Sequence, residues 1–70
     1  MKNNTIGIRI KELRIEKGLS QRELGEKLGF CNQLISFWEA GKREPSLDAV
    51  IEIALFFNTT PDYLLGFSDF

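Results

Sequence analysis

The sequence predicts an all-α domain of five short helices. Three observations carry this. Valine occurs once and no stretch alternates polar with apolar residues, so no strand is expected. Apolar residues recur at helical spacing over stretches of eight to twelve residues. Between those stretches stand glycines and small hydroxyl residues, the usual stop and start signals of helices. With 70 residues, 43% of them apolar, the chain is one domain and not a disordered tail.

Helix 1 is expected from about Ile6 to Lys17, ended by Gly18, with Ile6, Ile10 and Leu13 on one inward face. Helix 2 opens with Ser20-Gln21-Arg22-Glu23, a capping box. The Ser20 hydroxyl can accept from the Glu23 amide while the Glu23 carboxylate reaches back to the Ser20 amide. It buries Leu24 and Leu28 and stops at Gly29. Helix 3 runs from about Asn32 to Ala40 with Ile35 and Trp38 inward, and stops at Gly41. Ser46 caps helix 4, about Leu47 to Phe57, which places Val50 and Ala54 in the core. Thr60 caps helix 5, Pro61 to Leu65, where proline at the first helical position sacrifices no hydrogen bond. Gly66 closes it.

Helix 4 has an apolar arc of roughly 200°, about twice what one-sided packing requires. Ile51 and Leu55 are therefore expected beyond the core edge, with Phe67 and Phe70 adding to an apolar surplus. This surplus is a candidate two-fold contact, with scattered surface hydrophobes as the rival explanation. Ile8 and Ile15 form a second outer stripe, on helix 1.

Several chemistries are excluded early. Cys31 is the only cysteine, so no internal disulfide forms, and without histidine a structural zinc site is all but excluded. A catalytic Cys31 has no base to activate it. No nucleotide loop or metal cluster appears, so an enzyme is rejected and no cofactor or small-molecule ligand is inferred. The longest apolar run, Ile53 to Phe57, is too short for a membrane span, and residues 1–5 lack a signal-peptide core. A cytoplasmic, nucleoid-associated location is expected.

Net charge is −1, but it is segregated. Residues 1–43 carry all nine cations and five acids, a net +4, whereas residues 44–70 carry only five acids, a net −5. One face for a polyanion and a merely segregated solvated surface are equally good readings of charge alone.

Helices 2 and 3, joined at Gly29, make a helix-turn-helix. Gly25 lies inside helix 2, where glycine costs about 1 kcal/mol relative to alanine. A side chain there is expected to collide with helix 3. The outward face of helix 3 carries Asn32, Gln33, Ser36 and Phe37.

The segments Glu12-Leu13-Arg14, Gly18 to Leu24, Leu28-Gly29, Ile35-Ser36, Trp38-Glu39, Gly41 to Ser46 and Asp62 to Gly66 are common singly but specific in this order and spacing. The chain thereby resembles the Cro/C1-type (Xre-like) helix-turn-helix regulators of bacteria and their phages, over about residues 6–66. The resemblance implies a compact five-helix, lambda-repressor-like fold for residues 1–66, with 67–70 a short C-terminal tail. It also implies binding of double-stranded operator DNA as a homodimer, most often in repression. Helix 3 would lie in the major groove while helix 2 crosses the backbone.

Carried onto this chain, the resemblance makes Asn32 and Gln33 base readers, since a side-chain amide suits the paired donor and acceptor of adenine. Ser36 and Phe37 follow one turn on. Gln21 at the positive end of helix 2, together with Lys42 and Arg43, would hold phosphates. Arg14 and Glu39 match a pair joining helix 1 to helix 3, with a phosphate contact by Arg14 secondary to that structural role.

Three positions depart from the pattern. Phe37 replaces a long polar or basic reader; it can pack on a thymine methyl, serve a protein contact or simply lie on the surface. Cys31 replaces the usual Ser or Thr cap and predicts a weaker start to helix 3. Thr59 replaces a buried aliphatic residue, which predicts a less tightly packed turn between helices 4 and 5. The alternative to a DNA-binding regulator is a protein-interaction module on the same scaffold, an antitoxin or regulatory partner, favoured by Phe37, the acidic second half and the apolar surplus.

Overall fold

The structure, a computed structural model, describes residues 4–69. Five helices follow in order: α1 (Thr5–Glu16), α2 (Gln21–Leu28), α3 (Asn32–Ala40), α4 (Leu47–Phe56) and α5 (Pro61–Leu65), with no strand among the described residues. The boundaries agree with the sequence signals because those signals are local. Ser20 and Glu23 form the reciprocal capping box at 3.0 and 2.9 Å, and Ser46 and Thr60 cap α4 and α5. Cys31 caps α3 with no side-chain hydrogen bond, as expected. Four helices are followed by a glycine of positive φ. The fifth, α4, is followed by Asn58 at φ 56°, which did not stand out as a stop signal.

The core is drawn from all five helices: Ile6 and Ile10, Leu24, Ile35 and Trp38, Val50, Ile53 and Ala54, and Leu64, with Ala49 and Phe57 completing it. α3 is the hub, packed against α1 and α2, while α5 joins α1 to α4. Leu13 and Leu28, expected in the core, are only half-buried against its margin. Leu28 is the last residue of α2 and Leu13 lies in the last turn of α1. A 70-residue domain has too little interior to cover both ends of its helices.

Two glycines set the close approaches. A Cβ at Gly25 would overlap the Phe30 carbonyl oxygen and press on Asn32 N and Cys31 C at 3.4 Å. The obstacle is thus the turn leading into α3, not the packed face of that helix. A Cβ at Gly7 would overlap the Trp38 carbonyl oxygen, so Gly7 lets the start of α1 abut the end of α3. Asn4 fastens the same junction, donating from Nδ2 to the Glu39 carbonyl at 2.8 Å.

On α4, Ile51 and Leu55 lie beyond the core edge as anticipated, 42% and 74% exposed, and Leu47 joins them. Ile8, Ile15 and Phe67 are also exposed. Phe70 lies outside the described residues. Thr59 is half-buried and its amide donates to the Ala54 carbonyl at 2.9 Å, closing α4.

Candidate nucleic-acid interface

α3 turns Ile35 and Trp38 into the core, so the opposite face must look outward. At about 100° per residue, Gln33 lies at the centre of that face, flanked by Ser36 and Phe37, with Asn32 at its edge. Asn32 and Gln33 are exposed in the first turn; Ser36 and Phe37 are half-buried. The positive end of the helix dipole coincides with the two amide side chains.

The other end of α3 is closed by Gly41 at φ 76°, with Gly41 N donating to the Trp38 carbonyl at 3.2 Å and Lys42 N to the Phe37 carbonyl at 2.9 Å. This pairing is a Schellman motif, and only a residue free of Cβ strain closes it cheaply. It leaves Lys42 and Arg43 exposed just past the helix.

Arg14 and Gln21 occupy a different setting. Both converge on Glu39. Arg14 Nε and Nη2 donate to Glu39 Oε2 and Oε1 at 2.7 and 3.0 Å, and Gln21 Nε2 donates to Oε1 at 3.1 Å. Arg14 Nη1 donates to the Leu19 carbonyl at 2.8 Å. The Glu39 side chain is only 4% exposed and Arg14 12%. The hydrogen bonds it donates to Glu39 hold the Arg14 guanidinium above its ordinary pKa, against the opposing effect of burial. This clasp joins α1, the α1–α2 turn, the first residue of α2 and the penultimate residue of α3. It orients the two helices of the helix-turn-helix, and it occupies three of the five Arg14 N–H groups.

The predicted residues thus separate into two sets. Asn32, Gln33, Ser36, Phe37, Lys42 and Arg43 belong to the outward side of α3 and the loop behind it. Arg14 and Gln21 gather around Glu39.

Sequence reasoning missed Arg9 as an internal residue. Its Nη1 donates to the carbonyls of Tyr63 and Ser68 at 2.6 and 2.8 Å, and its guanidinium lies 4.3 Å from the Tyr63 ring centroid. Lys17 sits over Phe56 at 4.8 Å. Contacts across 54 positions leave no local sequence signal, so the count of nine cations overstates the charge available to a ligand. Among the described residues no helix is long and apolar enough to cross a membrane, and no cluster of three metal-ligating side chains occurs.

The sequence profile of the helix-turn-helix family matches residues 10–64. The chain belongs to the Cro/C1-type helix-turn-helix family. It is 37% identical over 62 residues to the HTH-type transcriptional regulator ImmR of Bacillus subtilis, covering 89% of this chain but 49% of ImmR. It is 41% identical over 61 residues to an uncharacterized HTH-type transcriptional regulator of Archaeoglobus fulgidus, covering 87% of each. The chain therefore spans about half the length of ImmR and most of the archaeal relative. Its fold superposes on the P22 c2 repressor, solved in complex with synthetic operator 9T, with a TM-score of 0.79. The two are 32% identical over 84% of this chain and 89% of the repressor chain.

Proposed function

We propose that this Cro/C1-type domain is a sequence-specific regulator of transcription that binds operator DNA as a two-fold dimer, most often to repress. The observation that carries the reading is the outward face of α3, with Asn32 and Gln33 exposed in its first turn on a scaffold that superposes on an operator-bound repressor at a TM-score of 0.79. α3 enters the major groove, Asn32 and Gln33 meet base edges, and Lys42 and Arg43 hold phosphates. Gln21, steadied by Glu39 at the start of α2, lies where the family geometry brings the backbone past. The apolar stripe of Leu47, Ile51 and Leu55 on α4, with Phe67 nearby in sequence, is the surface proposed for the second subunit.

The test separates reading from gripping. Gln33→Ala costs about 1–3 kcal/mol on the preferred operator and leaves random DNA unaffected. Lys42→Ala weakens both alike and lowers the salt slope by about one ion per subunit. Equal weakening of all DNA by Gln33→Ala would refute α3 as the reading helix and put the protein-interaction alternative ahead. Sedimentation of a monomer on operator DNA would refute the dimer.

A further inference from the structure

Arg9 takes no part in the candidate DNA interface. It ties the segment after α5 to the start of α1. Its Nη1 donates to the Tyr63 carbonyl at 2.6 Å and to the Ser68 carbonyl at 2.8 Å, and its Nη2 lies 4.0 Å from the Asp69 carboxylate. The guanidinium also covers the Tyr63 ring. One turn earlier on α1, Thr5 Cγ2 abuts Gly66. The segment after α5 thus crosses α1 between Thr5 and Arg9.

Phe67 stands in the middle of this crossing. Its own N–H donates to the Asp62 carbonyl at 2.8 Å, and the carbonyl of the next residue, Ser68, is one that Arg9 holds. The backbone is fixed on both sides, yet the ring is 81% exposed, more than any other large apolar side chain among the described residues. Packing within the domain does not explain this. A loose tail needs no clasp, and a ring held for the core would be covered.

We infer that Arg9 is a positioning residue for dimerisation: by clasping carbonyls before and after Phe67 it holds the ring as a preformed anchor that buries against a second copy of the chain. The inference rests on the two-fold dimer proposed above. Area argues for the second copy as occupant. A stable interface takes about 800 Å² from each partner, and the three exposed aliphatic side chains of α4 fall short of that. Phe67 adds the largest exposed apolar side chain, and Ile8, exposed on α1 between Thr5 and Arg9, adds to it. α5 packs against both α1 and α4. It is five residues long, about 7.5 Å, so the α4 stripe and the tail flank one short helix within a footprint of that size. A ring already held in place loses little freedom on binding, a cost that otherwise weakens association.

Dimerisation is measured by sedimentation, free and on a duplex carrying two half-sites from operators selected out of random DNA. A duplex with a single half-site is the control. Phe67→Ala is expected to weaken dimerisation about 30-fold, as for a central aromatic anchor. Arg9→Met keeps the stem over Tyr63 and loses every donor. It is expected to weaken dimerisation about tenfold, through the restored backbone freedom of one residue. With Phe67→Ala already present, Arg9→Met should add nothing, because Arg9 acts through the ring. Single-half-site affinity keeps the parent value throughout. Thermal melts confirm folding, and Phe67→Ala, a change at an exposed ring, carries the test should Arg9→Met fail to fold. Unchanged dimerisation in Phe67→Ala would overturn the inference and leave the ring to another partner. So would an Arg9→Met effect that persists without the ring, or that weakens single-half-site binding by the same factor, since either marks a purely structural role. Each of these outcomes leaves the dimer standing. A parent that stays monomeric on the two-half-site duplex would overturn both.

Discussion

Replacing Glu39 with alanine should strip the domain of a large part of its stability, although Glu39 is no member of the apolar core. Its carboxylate is 4% exposed and accepts two hydrogen bonds from Arg14 and one from Gln21. Removal leaves the Arg14 guanidinium, 12% exposed, with only the Leu19 carbonyl. Breaking a buried pair from one side costs roughly 3–5 kcal/mol, since the remaining charge stays desolvated. Arg14 keeps an edge to solvent, which places Glu39→Ala near the low end, about 3 kcal/mol. A domain of this length has roughly 3.5–10 kcal/mol in total. The loss corresponds to a Tm lower by about 12–24 °C.

Urea unfolding followed through Trp38, the sole tryptophan and 2% exposed, reads the change directly. Arg14→Ala should cost at least as much, because it strands the more deeply buried partner. The double variant should cost less than the sum of the two. Because the Arg14 pKa is raised, the contribution of its charge is fully present below the ordinary guanidinium value and is lost on the alkaline side only as pH rises through the raised one. Alkaline buffers in the accessible range should leave it untouched. A loss of less than about 1 kcal/mol in Glu39→Ala, the value of an exposed pair, would refute the reasoning.

Two further predictions concern local structure. Gly25→Ala and Gly7→Ala should each destabilise by about 1–3 kcal/mol even though alanine is the better helix former, because the new Cβ meets a carbonyl oxygen; a gain in Tm for either would refute the close approach. The Glu23 carboxyl is held below the ordinary glutamate range by the Ser20 amide and hydroxyl, so its contribution is present at neutral pH and lost as pH falls through the lowered value. Urea midpoints of the parent and Glu23→Gln should therefore differ at pH 7 and converge in acid, and a pH-independent difference would refute the capping assignment.

Most of the fold was legible because its signals are short-range. A hydroxyl residue at a helix start, a glycine just past a helix end and an apolar face repeating every turn all act within four or five residues. The start of each helix was accordingly read to within one residue. Asn58 escaped because asparagine adopts positive φ less habitually than glycine and gave no comparable stop signal. The outward face of α3 was legible by subtraction, since Ile35 and Trp38 could only face inward. The Arg14–Glu39 pair was visible through family resemblance alone. Nothing local foretold that Gln21 would share the same carboxylate, or that Arg9 would hold the carbonyls of Tyr63 and Ser68.

The amino-acid sequence by itself determined the five helices, their caps and which stripe of each turns inward, because helix propensity, capping and periodicity are properties of neighbouring residues. Tertiary structure alone decided which polar side chains remain available at the surface. It drew Arg9 and Arg14 into internal hydrogen bonds, placed Gly7 against Trp38, and left Phe37 outside the core beside Arg43. These outcomes depend on groups 25 to 59 positions apart, or on a chain reversal, meeting within hydrogen-bond or van der Waals range. That meeting is set by how the helices pack around one small core, which no local pattern encodes.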